Sequence, residues 1–244
     1  MKVIVNGACG RMGREVLRLL SEGYRGAQRA GAVDAFSSEE GIVSSLDALD
    51  VKGDVIIDFS SHLATPSLCE YAVRTNTPLV LCTTGHTEEE LATVREAAKN
   101  IPVFFSANMS LGVSLLCELA VQAAALYPDA DIEIVETHHN RKLDAPSGTA
   151  LMIADRIREV KTDAEYRLGR AGHAKREKQE IGIHALRLGN VVGEHAVIIG
   201  TDTETIRLEH KAHSRSLFAE GAVVAAAFLV GQTPGMYGMR DMLK

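Results

Sequence analysis

Short apolar runs alternate with amphipathic segments over about the first hundred residues of the chain. The runs that predict strands are KVIVN, AGAVD, DVIIDFS, PLVLCTT and IPVFFSAN. Amphipathic periodicity predicts helices between several of these strands, at about residues 11–21, 63–74 and 88–99. Nearly continuous apolar strands separated by helices indicate a parallel sheet that is covered on both faces. The pattern therefore predicts a doubly wound α/β fold for this part of the chain.

The pattern changes after Asn108. A helix is predicted from about Ser110 to Ala125, followed by the strand ADIEIVETHH and by a second helix that ends at Arg158. The segment 161–180 is polar and strongly charged, which predicts a solvated loop. Three strand-like runs come next, IGIHALRLG, EHAVIIGT and ETIRLEHKA. Together they predict a mixed or antiparallel sheet.

This change of pattern predicts two domains. The first comprises residues 1–108, and the second is an α+β domain with a mixed sheet at residues 109–216. The last helix, in SLFAEGAVVAAAFLVG, is predicted to return to the first domain with residues 217–244.

Composition and charge narrow the classes of partner. The chain has 244 residues, 46% hydrophobic and 24% charged, which is ordinary for a globular protein. A formal net charge of −6 argues against a nucleic-acid partner. The apolar run AVVAAAFLV is about half as long as a membrane helix, and the N-terminus does not resemble a signal peptide. Four scattered cysteines without a C-x-x-C pair favour reduced thiols and no zinc site. We therefore expect a cytoplasmic protein without a metal or a membrane anchor.

A glycine-rich turn lies between the first strand and the first helix, in VIVNGACGRMGREVLRLL. Gly7 follows the strand, Gly10 opens the helix and Gly13 lies one turn further, while Cys9 replaces the middle glycine of G-x-G-x-x-G. Asp34 ends the second strand about twenty residues on, where a ribose-binding carboxylate is expected. These features predict a dinucleotide-binding loop of the Rossmann type, with free amides at the helix start for the phosphates. An ordinary βα corner is the alternative.

The richest polar stretch of the second domain is ETHHNRKLDAPSGTAL. His138 and His139 are adjacent at a strand end and point to opposite faces, which argues against a shared metal ion. Lys142 follows, and a helix begins at about Ser147–Thr149, where amides and hydroxyls suit a carboxylate. The stretch thus combines a proton-transfer group, a cation and an anion cradle. The alternative is a charged surface turn followed by an N-capped helix.

Seven segments of the chain resemble one known family. They are GACGRMGREV, DVIIDFS, CTTG, SANMSLGV, VETHHNRKLDAPSGTAL, VGEHAVIIG and LEHKAHSR. In this order they are similar to the dihydrodipicolinate reductases, also called 4-hydroxy-tetrahydrodipicolinate reductases, of bacterial lysine and diaminopimelate biosynthesis. The resemblance covers nearly the whole chain. The segment H-H-x-x-K-x-D-x-P-S-G-T carries most of its specificity.

The resemblance implies NADH or NADPH bound to the first domain. By position, the pyrophosphate would be held by Gly7, Ala8, Cys9, Gly10, Arg11 and Met12. Asp34 would meet the adenosine ribose. The nicotinamide side would be lined by Phe59, Cys82, Thr83 and Thr84. The hinge and the far wall of the cofactor site would be formed by Ser106, Ala107, Asn108 and Met109.

The resemblance also implies reduction of 4-hydroxy-tetrahydrodipicolinate, a cyclic dicarboxylate, to tetrahydrodipicolinate with loss of water. His138 would be the general acid or base and Lys142 the proton donor. The substrate carboxylates would be held by His139, Ser147, Gly148 and Thr149. Members of the family usually form homotetramers through the sheets of the second domain.

Two positions bear on the choice of cofactor. Ala35 follows Asp34 where many members carry an arginine for the 2′-phosphate of NADPH, and Ser61 stands where some members carry another. We therefore expect NADH to be used at least as well as NADPH.

Two other functions share some of these features. A homoserine- or semialdehyde-type dehydrogenase would share the glycine loop but is not expected to carry H-H-x-x-K with S-G-T. A non-catalytic NAD(P)-binding protein should lack the proton donor Lys142.

Overall fold

The computed structural model describes residues 1–37 and 39–243. Its strands are β1 (Lys2–Asn6), β2 (Gln28–Val33), β3 (Val55–Asp58), β4 (Leu79–Leu81), β5 (Pro102–Phe105), β6 (Asp131–His138), β7 (Glu165–Leu168), β8 (Glu180–Arg187), β9 (Gly193–Gly200), β10 (Thr205–Ala212) and β11 (Gly235–Tyr237). Its α-helices are α1 (Arg11–Ser21), α2 (Thr65–Thr75), α3 (Glu88–Ala97), α4 (Leu111–Leu126), α5 (Gly148–Arg158) and α6 (Ser216–Leu229). Short 3-10 segments occur at Tyr24–Gly26, Leu46–Ala48, His62–Ala64 and Asp241–Leu243.

The chain divides into two compact units. The first comprises Met1–Ser110 together with the residues from Ser216 onward, and the second comprises Leu111–Arg215. The predicted return segment 217–244 ends on Lys244, which lies outside the described residues.

The first unit is built on a six-stranded sheet in the order β11-β5-β4-β3-β1-β2, and all neighbouring strands run parallel. Alternate side chains of one strand enter two separate cores. Val55 and Ile57 pack with α1 and α6, whereas Ile56 packs with α2 and α3. Each such buried side chain contributes about 1.5–3 kcal/mol. The predicted doubly wound fold is therefore confirmed.

The second unit has a mixed five-stranded sheet in the order β10-β9-β6-β8-β7. The β6–β8 and β7–β8 pairs are parallel, and the β6–β9 and β9–β10 pairs are antiparallel. Helices α4 and α5 cover one face through an isoleucine-rich core that includes Ile132 and Ile134. Because side chains alternate along a strand, β6 directs Glu136 and His138 to this same covered face. The predicted α+β unit with a mixed sheet is confirmed.

One predicted loop is wrong in part. The segment 161–180 contains strand β7, which pairs with β8, and it begins with a buried lysine. The Lys161 ammonium donates to the backbone carbonyls of Pro128 and Ala130 at 3.0 and 3.1 Å. Only Tyr166 of β7 packs against the core, so the strand lacks the apolar alternation that reveals a strand in sequence.

Strand β11 was not predicted either. It has three residues and pairs with β5 at the edge of the first sheet, so it is too short to show a period. The apolar run before it belongs to α6, which packs on β3, β4, β5 and α1. Among the described residues, no helix has both the length and the apolar character needed to cross a membrane.

Candidate active site

The glycine loop of the first unit is shaped by two close backbone approaches. Gly7 has φ +76°, and a Cβ atom there would lie 2.6 Å from the carbonyl oxygen of Phe59. A Cβ atom on Gly13 would lie 2.1 Å from the carbonyl oxygen of Gly7. Both positions therefore require glycine. Helix α1 starts at Arg11 without a side-chain cap, so its first amides point out of the helix start, ready to receive an anion.

Asp34 lies directly after β2 and is hydrogen-bonded to the glycine loop. Its Oδ2 accepts the backbone N–H of Cys9 at 2.9 Å, and its Oδ1 accepts the N–H of Phe36 at 3.2 Å. Arg14 donates to the carbonyl oxygen of Cys9 and pairs with Glu39. The glycine loop is thus held by two hydrogen bonds at Cys9, one to the Asp34 carboxylate and one from Arg14, which is also paired with Glu39.

A cavity of about 180 Å³ opens at the end of β2. Its walls include Val33, Ala35, Leu68 and Tyr71, so it is partly apolar and begins one residue beyond Asp34. This cavity was not predictable from the sequence, because its walls come from segments separated by tens of residues.

A buried carboxylate joins three strand ends of the first unit. Asp58 Oδ1 accepts from Asn6 Nδ2 at 2.7 Å and from Ser60 Oγ at 2.6 Å, and Oδ2 accepts from Thr83 Oγ1 at 2.5 Å. Burial raises the pKa of Asp58, although these hydrogen bonds oppose the rise. The network holds the Thr83 side chain inward, the neighbouring Cys82 is buried in the core, and Thr84 is exposed.

The remaining predicted cofactor residues differ in what they expose. Phe59 is half-buried against the core, and Ala8 and Met109 are fully buried within it. Ser106 Oγ donates to the carbonyl oxygen of Asn108 at 2.8 Å, and Ala107 between them is exposed. Ala8 and Met109 therefore present only backbone to a ligand.

The second unit brings the predicted His138 to a buried glutamate. Glu136 Oε2 accepts from His138 Nδ1 at 2.6 Å. Arg187 makes two bonds to the carboxylate, from Nη1 to Oε2 and from Nη2 to Oε1, both at 2.9 Å. The backbone N–H of Ser147 donates to Oε1 at 3.1 Å. Burial acts to raise the pKa of Glu136, but the bonds from Arg187, His138 and Ser147 outweigh it and lower the pKa overall.

Ser147 caps helix α5 and contacts a second buried histidine. Its Oγ accepts the N–H of Ala150 at 3.2 Å and lies 3.2 Å from His195 Nε2. The ring of His195 meets the ring of His138 edge to face, with centroids 5.2 Å apart. Burial, with a smaller contribution from the neighbouring His138, lowers the pKa of His195 to about 4. Gly148 is exposed and Thr149 is half-buried in the first turn of α5.

Positive groups gather around His139. Burial lowers its pKa, and Arg141, Arg215, His138 and Lys142 each lower it further through their charges. Lys142 Nζ lies 2.9 Å from Asp144 Oδ1, and 22% of the Lys142 side chain is exposed. This concentration of positive charge on an acidic chain suits a ligand that carries carboxylates.

Sequence reasoning missed Glu136, Arg187, His195 and Arg215. Glu136 had a usable signal, because a residue two positions before His138 on a strand points to the same face. Arg187 and His195 come from other strands, and only the register that pairs His138 with Arg187 and Glu136 with His195 brings them near. In the described part of the chain, no three His, Cys, Asp or Glu side chains are arranged to hold a metal ion.

Family models for the N-terminal and C-terminal parts of dihydrodipicolinate reductase match residues 1–109 and 112–243. The chain belongs to this family. It is 47% identical over 247 residues to the 4-hydroxy-tetrahydrodipicolinate reductase of Caldanaerobacter subterraneus subsp. tengcongensis, with 100% of this chain and 98% of that protein covered. It is 43% identical over 248 residues to the enzyme of the same name from Clostridium novyi, again covering 100% and 98%.

Solved structures agree on the fold. The dipicolinate-bound dihydrodipicolinate reductase from Paenisporosarcina sp. TG-14 superposes on this chain with a TM-score of 0.84, 24% identity and 99% of each chain covered. An oxidoreductase from Agrobacterium radiobacter in complex with NAD+ and L-tartaric acid gives a TM-score of 0.58 at 11% identity, covering 94% and 87%. The predicted family and the assignment as an oxidoreductase are confirmed, and a dinucleotide-binding reductase of this family takes a nicotinamide cofactor.

Proposed function

We propose that the reductase converts 4-hydroxy-tetrahydrodipicolinate to tetrahydrodipicolinate with loss of water, and that it uses NADH at least as well as NADPH. The observation that carries this proposal is the cluster of the second unit. This cluster brings together His138, Lys142 and the start of α5. Positively charged side chains also surround the neighbouring His139. The named relatives are reductases of the same substrate.

The first unit fits a nicotinamide cofactor. The close contacts at Gly7 and Gly13 keep side chains out of the loop, and the uncapped start of α1 offers amides to the pyrophosphate. Asp34 would receive the adenosine ribose, and the cavity beside Ala35 suits the flat adenine ring. Residues 10–12 would face the phosphates, and the segments at 59, 82–84 and 106–109 would line the nicotinamide side, Ala8 and Met109 through backbone alone. When bound, the reduced nicotinamide supplies the hydride.

The second unit supplies binding, orientation and a proton. Lys142 would donate a proton to the nitrogen side of the substrate, where negative charge builds up, and His138 would act as general acid or base. His139, Ser147, Gly148 and Thr149 would hold the two substrate carboxylates, the last three through the amides and hydroxyls of the helix start. The positive charge of Arg141 and Arg215 would add to this pocket.

A substrate panel tests this assignment. We expect NADH consumption with 4-hydroxy-tetrahydrodipicolinate, no NADH consumption with aspartate semialdehyde, and no reduction of NAD+ with homoserine. Turnover of either of the latter at a comparable kcat/KM would instead support a dehydrogenase that shares only the glycine loop.

Replacing Thr149 with valine raises KM for the substrate by roughly tenfold to a hundredfold, because a charge-assisted hydrogen bond contributes about 1.5–3 kcal/mol. Steady-state kinetics at saturating NADH measures the effect. Thr93→Val is the matched control, since Thr93 also lies in a helix and bonds only the carbonyl oxygen of Glu89. A change in thermal stability with an unaltered KM would reduce Thr149 to a helix-start residue.

Replacing Ala35 with arginine shifts the ratio of kcat/KM towards NADPH by about tenfold or more, since about 1.4 kcal/mol suffices. The wild type lacks a cation at this position, and the 2′-phosphate would bring about two negative charges beside Asp34. Arg14 is already paired with Glu39, which limits its use as a substitute. Kinetics with both cofactors decides the point, with the exposed Ala171→Arg as control. A strong wild-type preference for NADPH would contradict the assignment of Asp34.

We propose a homotetramer assembled through the sheet of the second unit. Helices α4 and α5 cover one face of that sheet, and the opposite face carries Leu186, which is 52% exposed. Light scattering should give about four chain masses for the wild type and a smaller particle for Leu186→Asp. A monomeric wild type at micromolar concentration would rule out the tetramer.

A further inference from the structure

We propose that Glu136 is a positioning residue for the reaction: it fixes the proton of His138 on Nδ1 and at the same time anchors the start of helix α5. The proposal rests on the proposed function, in which His138 and residues 147–149 contact the substrate. Glu136 itself is completely buried, so it acts through these neighbours.

The contacts of Glu136 leave one arrangement of protons. An ionised carboxylate can only accept hydrogen bonds. Its other partners, the Arg187 guanidinium and the backbone N–H of Ser147, are donors whatever the conditions. The remaining bond, 2.6 Å from His138 Nδ1, therefore requires a proton on Nδ1.

In the neutral imidazole, a proton on Nδ1 leaves Nε2 with a free lone pair. Among the described residues His138 Nε2 has no hydrogen-bond partner. A Cβ atom on Gly193 would lie 3.1 Å from this nitrogen, so the absence of a side chain there keeps its surroundings open. Nε2 is thus the nitrogen that meets the substrate and exchanges a proton with it.

Arg187 stabilises the ionised carboxylate of the buried Glu136. Its two parallel bonds balance the charge of Glu136, so the carboxylate stays ionised without requiring a charged His138. Arg187 Nη2 also donates to the carbonyl oxygen of Asp144 at 2.6 Å, in the turn that follows Lys142. The Glu136–Arg187 ion pair therefore fixes the relative positions of His138, the turn after Lys142 and the start of α5.

Glu136→Gln is the direct test. Glutamine has one acceptor oxygen and brings an NH₂ group towards Arg187, so it cannot accept all four bonds. We expect kcat to fall about a hundredfold, within the range that a general acid or base contributes, while the Kd for NADH stays within about twofold of wild type. Glu118→Gln is the matched control, because it breaks another partly buried glutamate–arginine pair of the same unit, with Arg156, away from the histidines.

Nitrogen-15 NMR of the imidazoles tests the proton position directly, first in the wild type and then in the Glu136 variant. At about pH 8 we expect the His138 signal, assigned by its loss in His138→Gln, to show a protonated Nδ1 and a bare Nε2, and Glu136→Gln to shift it towards the opposite tautomer. A wild-type signal with bare Nδ1, or equal kcat values for Glu136→Gln and Glu118→Gln, would overturn the proposal. A wild type that shows the expected tautomer but does not reduce the substrate would overturn the proposed function instead.

Discussion

Replacing Lys142 with methionine lowers kcat by about 10²–10⁴, the usual contribution of one general acid. Methionine retains much of the length and apolar stem of lysine but carries no proton and no charge. The Lys142 ammonium lies beside Asp144 in the turn between His138 and helix α5, where a donor can serve a substrate held by that helix. The Kd for NADH, measured by fluorescence titration, should be nearly unchanged, because the glycine loop belongs to the other unit.

Lys52→Met is the control for this experiment, since it removes an exposed lysine of the first unit and should leave kcat within about twofold of wild type. Near-normal turnover in Lys142→Met would remove Lys142 from the role of proton donor and leave it as the partner of Asp144.

Acid destabilises the wild type through His195. Burial lowers the folded-state pKa of His195 to about 4, below its ordinary value of 6.5. Between these values the unfolded chain binds a proton that the folded protein does not, so stability falls as the pH drops from about 6.5 towards 4. Complete passage through this window costs about 3 kcal/mol, more than a hundredfold in the folding equilibrium constant.

Chemical denaturation at pH 8 and pH 5 measures this loss. His195→Gln is the comparison, because glutamine keeps polar atoms near Ser147 Oγ but does not titrate in this range. Other groups contribute equally to both proteins, so the wild type should lose about 2 kcal/mol more than the variant between these two pH values. Equal losses would mean that His195 is protonated in the folded protein well above pH 4.

Local patterns predicted most of the first unit. Strand β1 and helix α1 have the predicted bounds, because a continuous apolar run, glycines that force a turn and a clear 3.6-residue period all agree there. Strands β7 and β11 were not predicted, because these edge strands bury few side chains and show no strong alternation of apolar and polar residues. Their existence depends on hydrogen bonds to β8 and β5, which are contacts between distant segments.

The residues of the candidate site also differ in whether local sequence or contacts between distant segments reveal them. The motif around His138 and the helix start at Ser147 are readable because they lie within a dozen residues. The buried Asp58 and the half-buried Arg187 have no such signal, since each acts at a junction of several strands or loops. Asp34 combines both cases: its place after β2 was predictable, whereas its bond to the Cys9 amide required the folded loop. The roles of the predicted site residues stay predictions until the variants are measured.

The most direct measurement follows the absorbance of reduced nicotinamide while freshly prepared 4-hydroxy-tetrahydrodipicolinate is added to the wild type and to the double variant His138→Gln/Lys142→Met. In the wild type we expect one NADH consumed for each tetrahydrodipicolinate formed, with product identified by mass spectrometry. In the double variant we expect unchanged NADH binding and a rate lower by at least about 10², the loss of one general acid. An inactive wild type with intact NADH binding, or a double variant as fast as the wild type, would contradict reduction of this substrate at the cluster around His138.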